Sequence, residues 1–262
     1  MIHSTAIVSS SAKLGRNVKI GPYAIIGDKV ELADDVEIMS HVCVDGRTYI
    51  DSGTKIYPFA AIGFPPQDLK FHGEDSEVII GRNNSIREYV TVHPGTEGGA
   101  MKTVIGNNNL LMIGVHIAHD CIIGNNTVLA NNVTLGGHVQ IGDDAIIGGM
   151  SAIHQFVRIG KHAIVGGMSG VERDVIPYGA VKGERSHLYD INMIGILRSG
   201  IDRNEIKLLK EAYKMIFYNE KTLIESVLEA EEHFSDSATV QEIVKFMKEK
   251  TNRSFCLPKD RL

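Results

Sequence analysis

The stretch GVHIAHDCIIGNNTVLANNVTLGGHVQIG, residues 114–142, carries an aliphatic residue at every sixth position. A period of six fits neither the 3.6-residue turn of a helix nor the two-residue alternation of a half-buried strand. It is typical of a parallel β-helix, in which each hexapeptide forms one flat side and points its aliphatic residue inward. The inward positions run without a miss from Val8 to Ile62, from Ile80 to Val92 and from Ile105 to Val171.

Three such sides make a coil of about 18 residues, and successive coils stack about 4.8 Å apart, the spacing of paired strands. Two segments interrupt the period: FPPQDLKFHGEDS, residues 64–76, and PGTEGGAMKT, residues 94–103. Proline, glycine and polar residues predict that both are loops leaving the prism. Long loops on a rigid scaffold are usually functional. Surface insertions without a function are the alternative.

The six-residue period stops near Pro177, and a helical pattern begins near Ser186. The apolar residues from Leu188 to Leu197 predict a short helix. Asp202, followed three residues later by Glu205, predicts a capping box at the start of a second helix. Further helices are predicted over 221–233 and 238–250. The chain is therefore predicted to be mainly β, with a β-helix over residues 1–183 and an α-helical domain over residues 184–262.

Four basic residues recur at helical spacing on the second predicted helix and form one stripe. The acidic Asp202, Glu205 and Glu211 are expected to lie off the stripe, which predicts a uniformly positive face. Such a face suits an acidic partner, and an ordinary solvated face is the alternative. The stripe consists of Arg203, Lys207, Lys210 and Lys214.

Composition excludes several classes of protein. The net charge of −5 disfavours non-specific binding to nucleic acid. The three cysteines form no CxxC pair and no secretory signal is recognisable, which predicts reduced thiols in the cytoplasm. No stretch approaches the roughly 18 apolar residues that a membrane span needs.

The coil period brings residues of catalytic types to one edge. Ile117, Leu135 and Ile153 are spaced by 18 residues and are expected to stack in three successive coils. Side chains that follow them closely in sequence should lie within roughly 10 Å of one another, and Asp120 should lie directly beneath His138. The expected cluster is His119, Asp120, His138 and His154.

Three chemistries could use this cluster. A zinc site needs three ligands in a tetrahedral arrangement, and His116 with His119 offers only one close pair. A general base needs one neutral imidazole oriented by a second group, and Asp120 follows His119 directly. A thiol nucleophile is disfavoured, because Cys121 takes an inward position and should be buried. Histidines that merely decorate the surface remain a further alternative.

Five motifs carry a resemblance to a known family: QDLKFHGE (67–74), HIAHDC (116–121), GGH (136–138), HQF (154–156) and VGGMSGV (165–171). With them, nearly the whole chain resembles the UDP-N-acetylglucosamine O-acyltransferases. The resemblance implies a left-handed β-helix, which departs from the usual right-handed crossover. It also implies transfer of an (R)-3-hydroxyacyl group from acyl carrier protein to the 3-hydroxyl of UDP-N-acetylglucosamine, the first step of lipid A synthesis in Gram-negative bacteria.

The resemblance assigns roles to individual residues. His119 matches the general base, Asp120 the group that orients it, and the Gly137 N–H the oxyanion donor. The 18-residue spacing agrees, since it places Gly137 one coil above His119. The hydroxyl would attack the thioester directly, with no acyl-enzyme and no metal or other cofactor beyond the 4′-phosphopantetheine on acyl carrier protein.

The family's active sites lie between the subunits of a homotrimer, so residues from distant parts of the chain would contribute. Gly167 matches the residue that limits acyl length; its missing side chain predicts an open groove and a longer acyl chain, into which Met168 could intrude. Arg198 is chemically suited to a diphosphate. Substrate contacts are implied for Gln67, Asp68, Lys70, His116, His138, His154, Gln155, Asn192 and Arg198.

This chain also departs from the family. It has GILRSG at residues 195–200 where GLKRRG is frequent, so Leu197 and Ser199 replace basic residues, and Ile194 stands where an acidic residue is common. These changes predict weaker contact with the diphosphate.

Four other functions are alternatives to this acyl transfer. The sister N-acyltransferase carries an extra N-terminal domain, which a repeat starting near Ile2 leaves no room for. An acyltransferase with a coenzyme A donor, a γ-type carbonic anhydrase or other metalloprotein, and a scaffold without catalysis are the remaining alternatives.

Overall fold

A computed structural model describes residues 1–251 and 253–261 as a left-handed parallel β-helix followed by helices. The strands, numbered β1 to β27 along the chain, form the three faces of a prism. The first face consists of β1 (Ile7–Val8), β4 (Ile25–Ile26), β7 (Cys43–Val44), β10 (Ala61–Ile62), β13 (Thr91–Val92), β16 (His116–Ile117), β19 (Thr134–Leu135), β22 (Ala152–Ile153) and β25 (Gly170–Val171).

The second face consists of β2 (Lys13–Leu14), β5 (Glu31–Leu32), β8 (Arg47–Ile50), β11 (Glu77–Ile80), β14 (Lys102–Ile105), β17 (Ile122–Ile123), β20 (Gln140–Ile141) and β23 (Arg158–Ile159). The third face consists of β3 (Lys19–Ile20), β6 (Glu37–Ile38), β9 (Lys55–Ile56), β12 (Ser85–Ile86), β15 (Leu110–Leu111), β18 (Val128–Leu129), β21 (Ile146–Ile147), β24 (Ile164–Val165), β26 (Gly179–Lys182) and β27 (His187–Ile191).

The aliphatic period builds the core as predicted. Ile117 pairs with Leu135, and Leu135 pairs with Ile153, so these side chains stack in successive coils. All three are buried, and they belong to one continuous hydrophobic core. The predicted fold class is confirmed: the protein is mainly β, a left-handed parallel β-helix with an α-helical C-terminal part.

The corners of the prism turn through residues with a left-handed backbone. Asp120, His138 and Phe156 occupy equivalent positions in successive coils, with φ of 60°, 62° and 65°. Asp and His tolerate this conformation better than most residues, whereas a bulky Phe rarely adopts it. We call the corner between the first and second faces the histidine corner, since it carries these three residues.

Both predicted loops leave the prism from the strands that precede the histidine corner. The first connects β10 to β11, and the second connects β13 to β14. The second loop ends at Met101, earlier than predicted, because Lys102 and Thr103 already pair with β11. Its shorter length holds it close to the corner.

The helices of the described chain are α1 (Met193–Arg198), α2 (Arg203–Phe217), α3 (Leu223–His233) and α4 (Ala238–Lys248), with a 3₁₀ turn at Lys259–Arg261. The prediction of a helix starting at Leu188 is wrong: β27 (His187–Ile191) pairs antiparallel with β26, and this pairing buries Leu188 and Ile191. Because β26 and β27 pair across residue 183, the division at 183/184 stays a prediction.

The predicted capping box at Asp202 is also absent from the described helix start. The Asp202 carboxylate accepts the Asn204 N–H, but Glu205 turns away to accept the hydroxyls of Ser237 and Thr239 at 2.8 and 2.7 Å. Glu205 therefore ties α2 to the start of α4. A reciprocal capping box begins α3 instead, between Thr222 and Glu225.

A buried ion pair joins the helical part to the prism. Arg158 on β23 donates to Asp174 through both its backbone N–H and its Nε, each at 2.8 Å. Its Nη1 reaches Glu249 at 2.9 Å, and its guanidinium lies over the Phe246 ring. Among the described residues, no helix is long and apolar enough to cross a membrane.

Candidate active site

The histidine corner holds a hydrogen-bonded His–Asp pair. The His119 Nδ1 lies 2.9 Å from the Asp120 Oδ2. The left-handed turn at Asp120 points its carboxylate toward the second loop, and the residue is 4% exposed. Asp120 lies directly beneath His138 in the neighbouring coil, as the 18-residue period predicts.

Backbone and side-chain donors of the second loop surround the Asp120 carboxylate. Thr96 donates its N–H at 3.1 Å and its hydroxyl at 2.8 Å to Oδ2, and the Ala100 N–H donates to Oδ1 at 2.8 Å. A side chain at Gly99 would collide with this carboxylate at 2.2–2.4 Å. Because the loop N–H groups can only donate, the carboxylate acts as an acceptor. The His119 Nδ1 therefore carries the proton, and its Nε2 keeps a free lone pair.

A pocket of ≈ 770 Å³ opens on the Nε2 side of His119. The Asp68 Oδ2 lies 3.9 Å from that nitrogen, while the Asp68 Oδ1 accepts the Lys70 N–H at 3.0 Å. The two loops and the histidine corner together enclose the space. Its walls include Gln67, Asp68, Lys70, His72, Glu74, Thr96, Glu97, His119, His138, Gln155 and Phe156.

Gly137 lies one coil above His119, as predicted. A Cβ built on Gly137 would lie 2.5 Å from both the Cε1 and the Nε2 of His119, so only glycine leaves the ring in place. Within residues 1–251 and 253–261, no acceptor takes the Gly137 N–H. An unpaired N–H beside a basic nitrogen is suited to stabilise an oxyanion.

His138 contacts His119 edge to face, with ring centroids 5.0 Å apart, and stacks on Phe156 at 4.3 Å. Burial lowers the pKa of His138, so the ring is held in its neutral form. The position above His138 belongs to Phe156 rather than to His154. That His154 belongs to the cluster stays a prediction; its Nδ1 accepts from the Arg253 Nη2 at 2.7 Å.

A second pair of histidines lies beside His119. His116 Nδ1 is 2.7 Å from the Thr91 hydroxyl, and its ring meets His93 edge to face at 5.0 Å. Burial lowers the pKa of His116 and, with help from the charges of His116 and His119, lowers that of His93 to about 4. His93 was not predicted from the sequence, although it follows the inward Val92 by one residue, as His154 follows Ile153.

Other predicted residues lie at different corners of the same chain. The Asn192 amide donates to the His162 carbonyl at 2.9 Å and accepts the Gly195 N–H at 3.0 Å, which caps α1. His162 belongs to the corner between the second and third faces. Arg198 is exposed at the end of α1. One chain therefore does not bring Asn192 and Arg198 to the histidine corner.

The residues predicted to limit acyl length lie at the third corner, between the third and first faces. Gly167 is exposed there, and Met168 beside it is 75% exposed. A Cβ on Gly167 would meet the Gly149 carbonyl oxygen at 3.3 Å and little else. That the missing side chain leaves an acyl groove open here stays a prediction.

Three residues near α1 differ from the family pattern, and each can be described from its surroundings. The Ser199 hydroxyl donates to the Ile196 carbonyl at 2.8 Å and so closes the end of the helix. Leu197 and Ile194 are both largely exposed. The positions that are charged in relatives therefore face outward on this chain.

Two alternative chemistries fit the corner less well. One nitrogen or oxygen each from His119, Asp120 and His138 lies within 4.8 Å of the others. However, the Asp120 Oδ2 already accepts two hydrogen bonds from Thr96 and faces the His119 Nδ1, so these groups are arranged as a hydrogen-bonded His–Asp pair. Cys121 is buried as predicted, and burial raises the pKa of its thiol to about 12, which disfavours the thiolate that a nucleophile requires.

The basic stripe is present but is not uniformly positive. All four of its residues are exposed on α2. The Lys207 Nζ lies 3.8 Å from the Glu211 Oε1, an i, i+4 pair that brings one acidic group onto the stripe. The stripe is therefore better described as mostly positive.

Comparisons with known proteins agree with the geometry. The family described as UDP N-acetylglucosamine O-acyltransferase, domain 2, matches residues 174–256, and bacterial transferase hexapeptide repeats match residues 102–137. Acyl-[acyl-carrier-protein]–UDP-N-acetylglucosamine O-acyltransferases of Rickettsia bellii and Rickettsia rickettsii are 52% and 58% identical. Each alignment covers 97% of this chain, with 91% and 97% of the relative.

Solved structures of UDP-N-acetylglucosamine acyltransferases are also similar to this chain. One described as UDP-N-acetylglucosamine acyltransferase has a TM-score of 0.96 and 42% identity, covering 99% of both chains. An Arabidopsis UDP-N-acetylglucosamine acyltransferase has a TM-score of 0.87 and 34% identity, covering 98% of this chain and 100% of its own. This chain therefore belongs to the UDP-N-acetylglucosamine O-acyltransferase family.

Proposed function

We propose that the protein transfers an (R)-3-hydroxyacyl group from acyl carrier protein to the 3-hydroxyl of UDP-N-acetylglucosamine, the first step of lipid A biosynthesis. The names of its relatives support both substrates. The observation that carries the proposal is the free Nε2 of His119, which faces a large pocket beside the unpaired Gly137 N–H.

In this reaction His119 acts as the general base. Its Nε2 takes the proton of the sugar hydroxyl, whose oxygen forms a bond to the thioester carbonyl carbon. The developing oxyanion accepts the Gly137 N–H. When the tetrahedral intermediate collapses, the C–S bond breaks and the phosphopantetheine sulfur leaves with the proton that His119 returns. The products are the sugar ester and free carrier thiol.

Asp120 serves this base in two ways. Its hydrogen bond to Nδ1 selects the tautomer in which Nε2 is free, and its charge stabilises the imidazolium that forms during attack. No atom of the step needs a metal ion or a further cofactor. Asp68, 3.9 Å from Nε2 before substrate binds, is placed to meet the incoming sugar.

The positions of the remaining residues support a homotrimer. The base, Asn192 with Arg198, and Gly167 with Met168 lie at three different corners of one chain. A ring of three chains would bring unlike corners together, so that the histidine corner of one subunit meets the other corners of its neighbours. Gln155 and Arg198 would hold the nucleotide, and the open space at Gly167 would admit a longer acyl chain.

His119→Ala tests the assignment of the base. We expect the turnover number to fall by roughly 10²–10⁴-fold, the range for a lost general base. His233→Ala, an exposed histidine on α3, is the matched control and should keep full activity. If His119→Ala retained most of its activity, the general-base mechanism would be wrong. The same assay run with acyl-coenzyme A in place of the carrier-protein thioester identifies the donor.

A further inference from the structure

Thr96 makes two hydrogen bonds to the carboxylate that orients His119, and it is itself 4% exposed. Both bonds end on Oδ2, the same oxygen that faces the His119 Nδ1. The position of this oxygen determines where the imidazole can lie. The hydroxyl of Thr96 therefore acts on the base through one shared atom.

The first loop lies close to the second. Its Glu74 carboxylate accepts the His72 N–H at 2.9 Å, and backbone N–H groups, first its own and then those of His72 and Glu97, lower its pKa. Glu74 is therefore near the residue directly after Thr96. The second loop itself bonds to Asp120 through Thr96 and Ala100.

We propose that Thr96 is a positioning residue, whose hydroxyl holds Asp120 Oδ2 in the place that directs His119 Nε2 into the pocket and moderates its basicity. An ionised carboxylate shares its charge among its donors. Without the hydroxyl, more of that charge acts on His119 and stabilises the imidazolium, so the ring becomes more basic while it loses its fixed orientation. This inference rests on the proposed function only for its kinetic part.

Thr96→Val keeps the shape of the side chain and removes the hydroxyl. We expect kcat to fall by roughly 10- to 100-fold, since a small misplacement of a reacting group has effects of that size. KM for the sugar nucleotide should change little. The acid limb of the pH–rate profile should move to higher pH. Thr96→Ser should return both kcat and the position of that limb to their wild-type values.

Thr103→Val is the matched control. Thr103 on β14 is fully buried, and within the described part of the chain its hydroxyl has no hydrogen-bond partner. Removing that hydroxyl should change neither the rate nor the pH profile. Thermal unfolding of both variants checks that the fold persists, and Thr96→Ser keeps the test open should Thr96→Val fail to fold.

An NMR titration of the His119 ring in the free protein separates this inference from the proposed function. The titratable groups that face the ring are Asp120, Asp68 on the first loop, His138 and His93. Thr96→Val should raise the His119 titration midpoint whatever reaction the protein catalyses. A midpoint equal to that of the wild type, a serine variant that restores nothing, or a loss confined to KM would overturn the role of Thr96.

Discussion

Adding a single methyl group at Gly137 should disable the base by displacing the His119 ring, while the imidazole itself is unchanged. The Cβ of Gly137→Ala would lie 2.5 Å from two atoms of the His119 ring, whereas ordinary contacts begin at 3.4 Å. The ring must therefore move by about 0.9 Å, because the Cβ is fixed by the backbone. Misplacement of a reacting group by about 1 Å costs on the order of 10²-fold in rate. The N–H of residue 137 remains, so the loss measures the position of the imidazole.

The assay is acyl transfer from a 3-hydroxyacyl carrier-protein thioester under saturating sugar nucleotide. We expect kcat of Gly137→Ala near one hundredth of the wild-type value, with an unchanged KM for the nucleotide. His233→Ala, on the exposed surface of α3, is again the control and should keep full activity. Wild-type turnover by Gly137→Ala would refute the argument, as would an unmoved His119 ring in a crystal structure of the variant.

Three further predictions concern other parts of the molecule. Reversing the charge of Lys207 and Lys210 should raise KM for acyl carrier protein and leave sugar-nucleotide affinity alone; an equal loss of both would exclude the stripe as the docking face. Asp174→Ala should lower the free energy of unfolding by roughly 3 kcal/mol in urea titration, the lower end of the range for a broken buried ion pair, because among the described residues Arg158 keeps only the half-exposed Glu249 as an acidic partner; a loss below about 1 kcal/mol would show that Glu249 alone is sufficient. Folding lowers the pKa of His93 from 6.5 to about 4, so between pH 6.5 and pH 4 the ring is protonated mainly in the unfolded chain. The free energy of unfolding should therefore fall as the pH is lowered from 6.5 to 4, and His93→Gln should flatten that dependence; an equally steep slope would remove His93 as its source.

Periodicity predicted the scaffold and part of the site for the same reason. Once each hexapeptide is one side of a coil, every residue has a neighbour 18 positions away, which brings Gly137 over His119 and His138 over Asp120. The stacking on His138 shows how strict that rule is. Phe156, 18 positions after His138, stacks on that ring, whereas His154, two positions earlier, is hydrogen-bonded to Arg253.

The parts that escaped prediction lie outside the period. Thr96 reaches Asp120 only because its loop folds back from β13, and no local pattern specifies that path. The segment around Leu188 has apolar spacing that suits a helix, but pairing with β26 decides its structure. Glu205 has the right spacing for a capping box, and two hydroxyls at the start of α4 attract it more strongly.

If the acyl chain runs along the prism, as proposed, the constant rise of the coils sets the steps by which its groove can be lengthened. Each coil adds about 4.8 Å along the prism axis, so residues at the same corner stand at whole steps from one another, and residues at different corners stand at fractions of a step. Gly167 follows His119 by 48 residues, between two and three coils. On the proposed assignment of Gly167, larger side chains there should shorten the groove within one step, whereas moving its end by a whole step should require inserting or deleting a coil. Point substitutions should therefore adjust acyl preference finely, and larger changes should require a change in coil number.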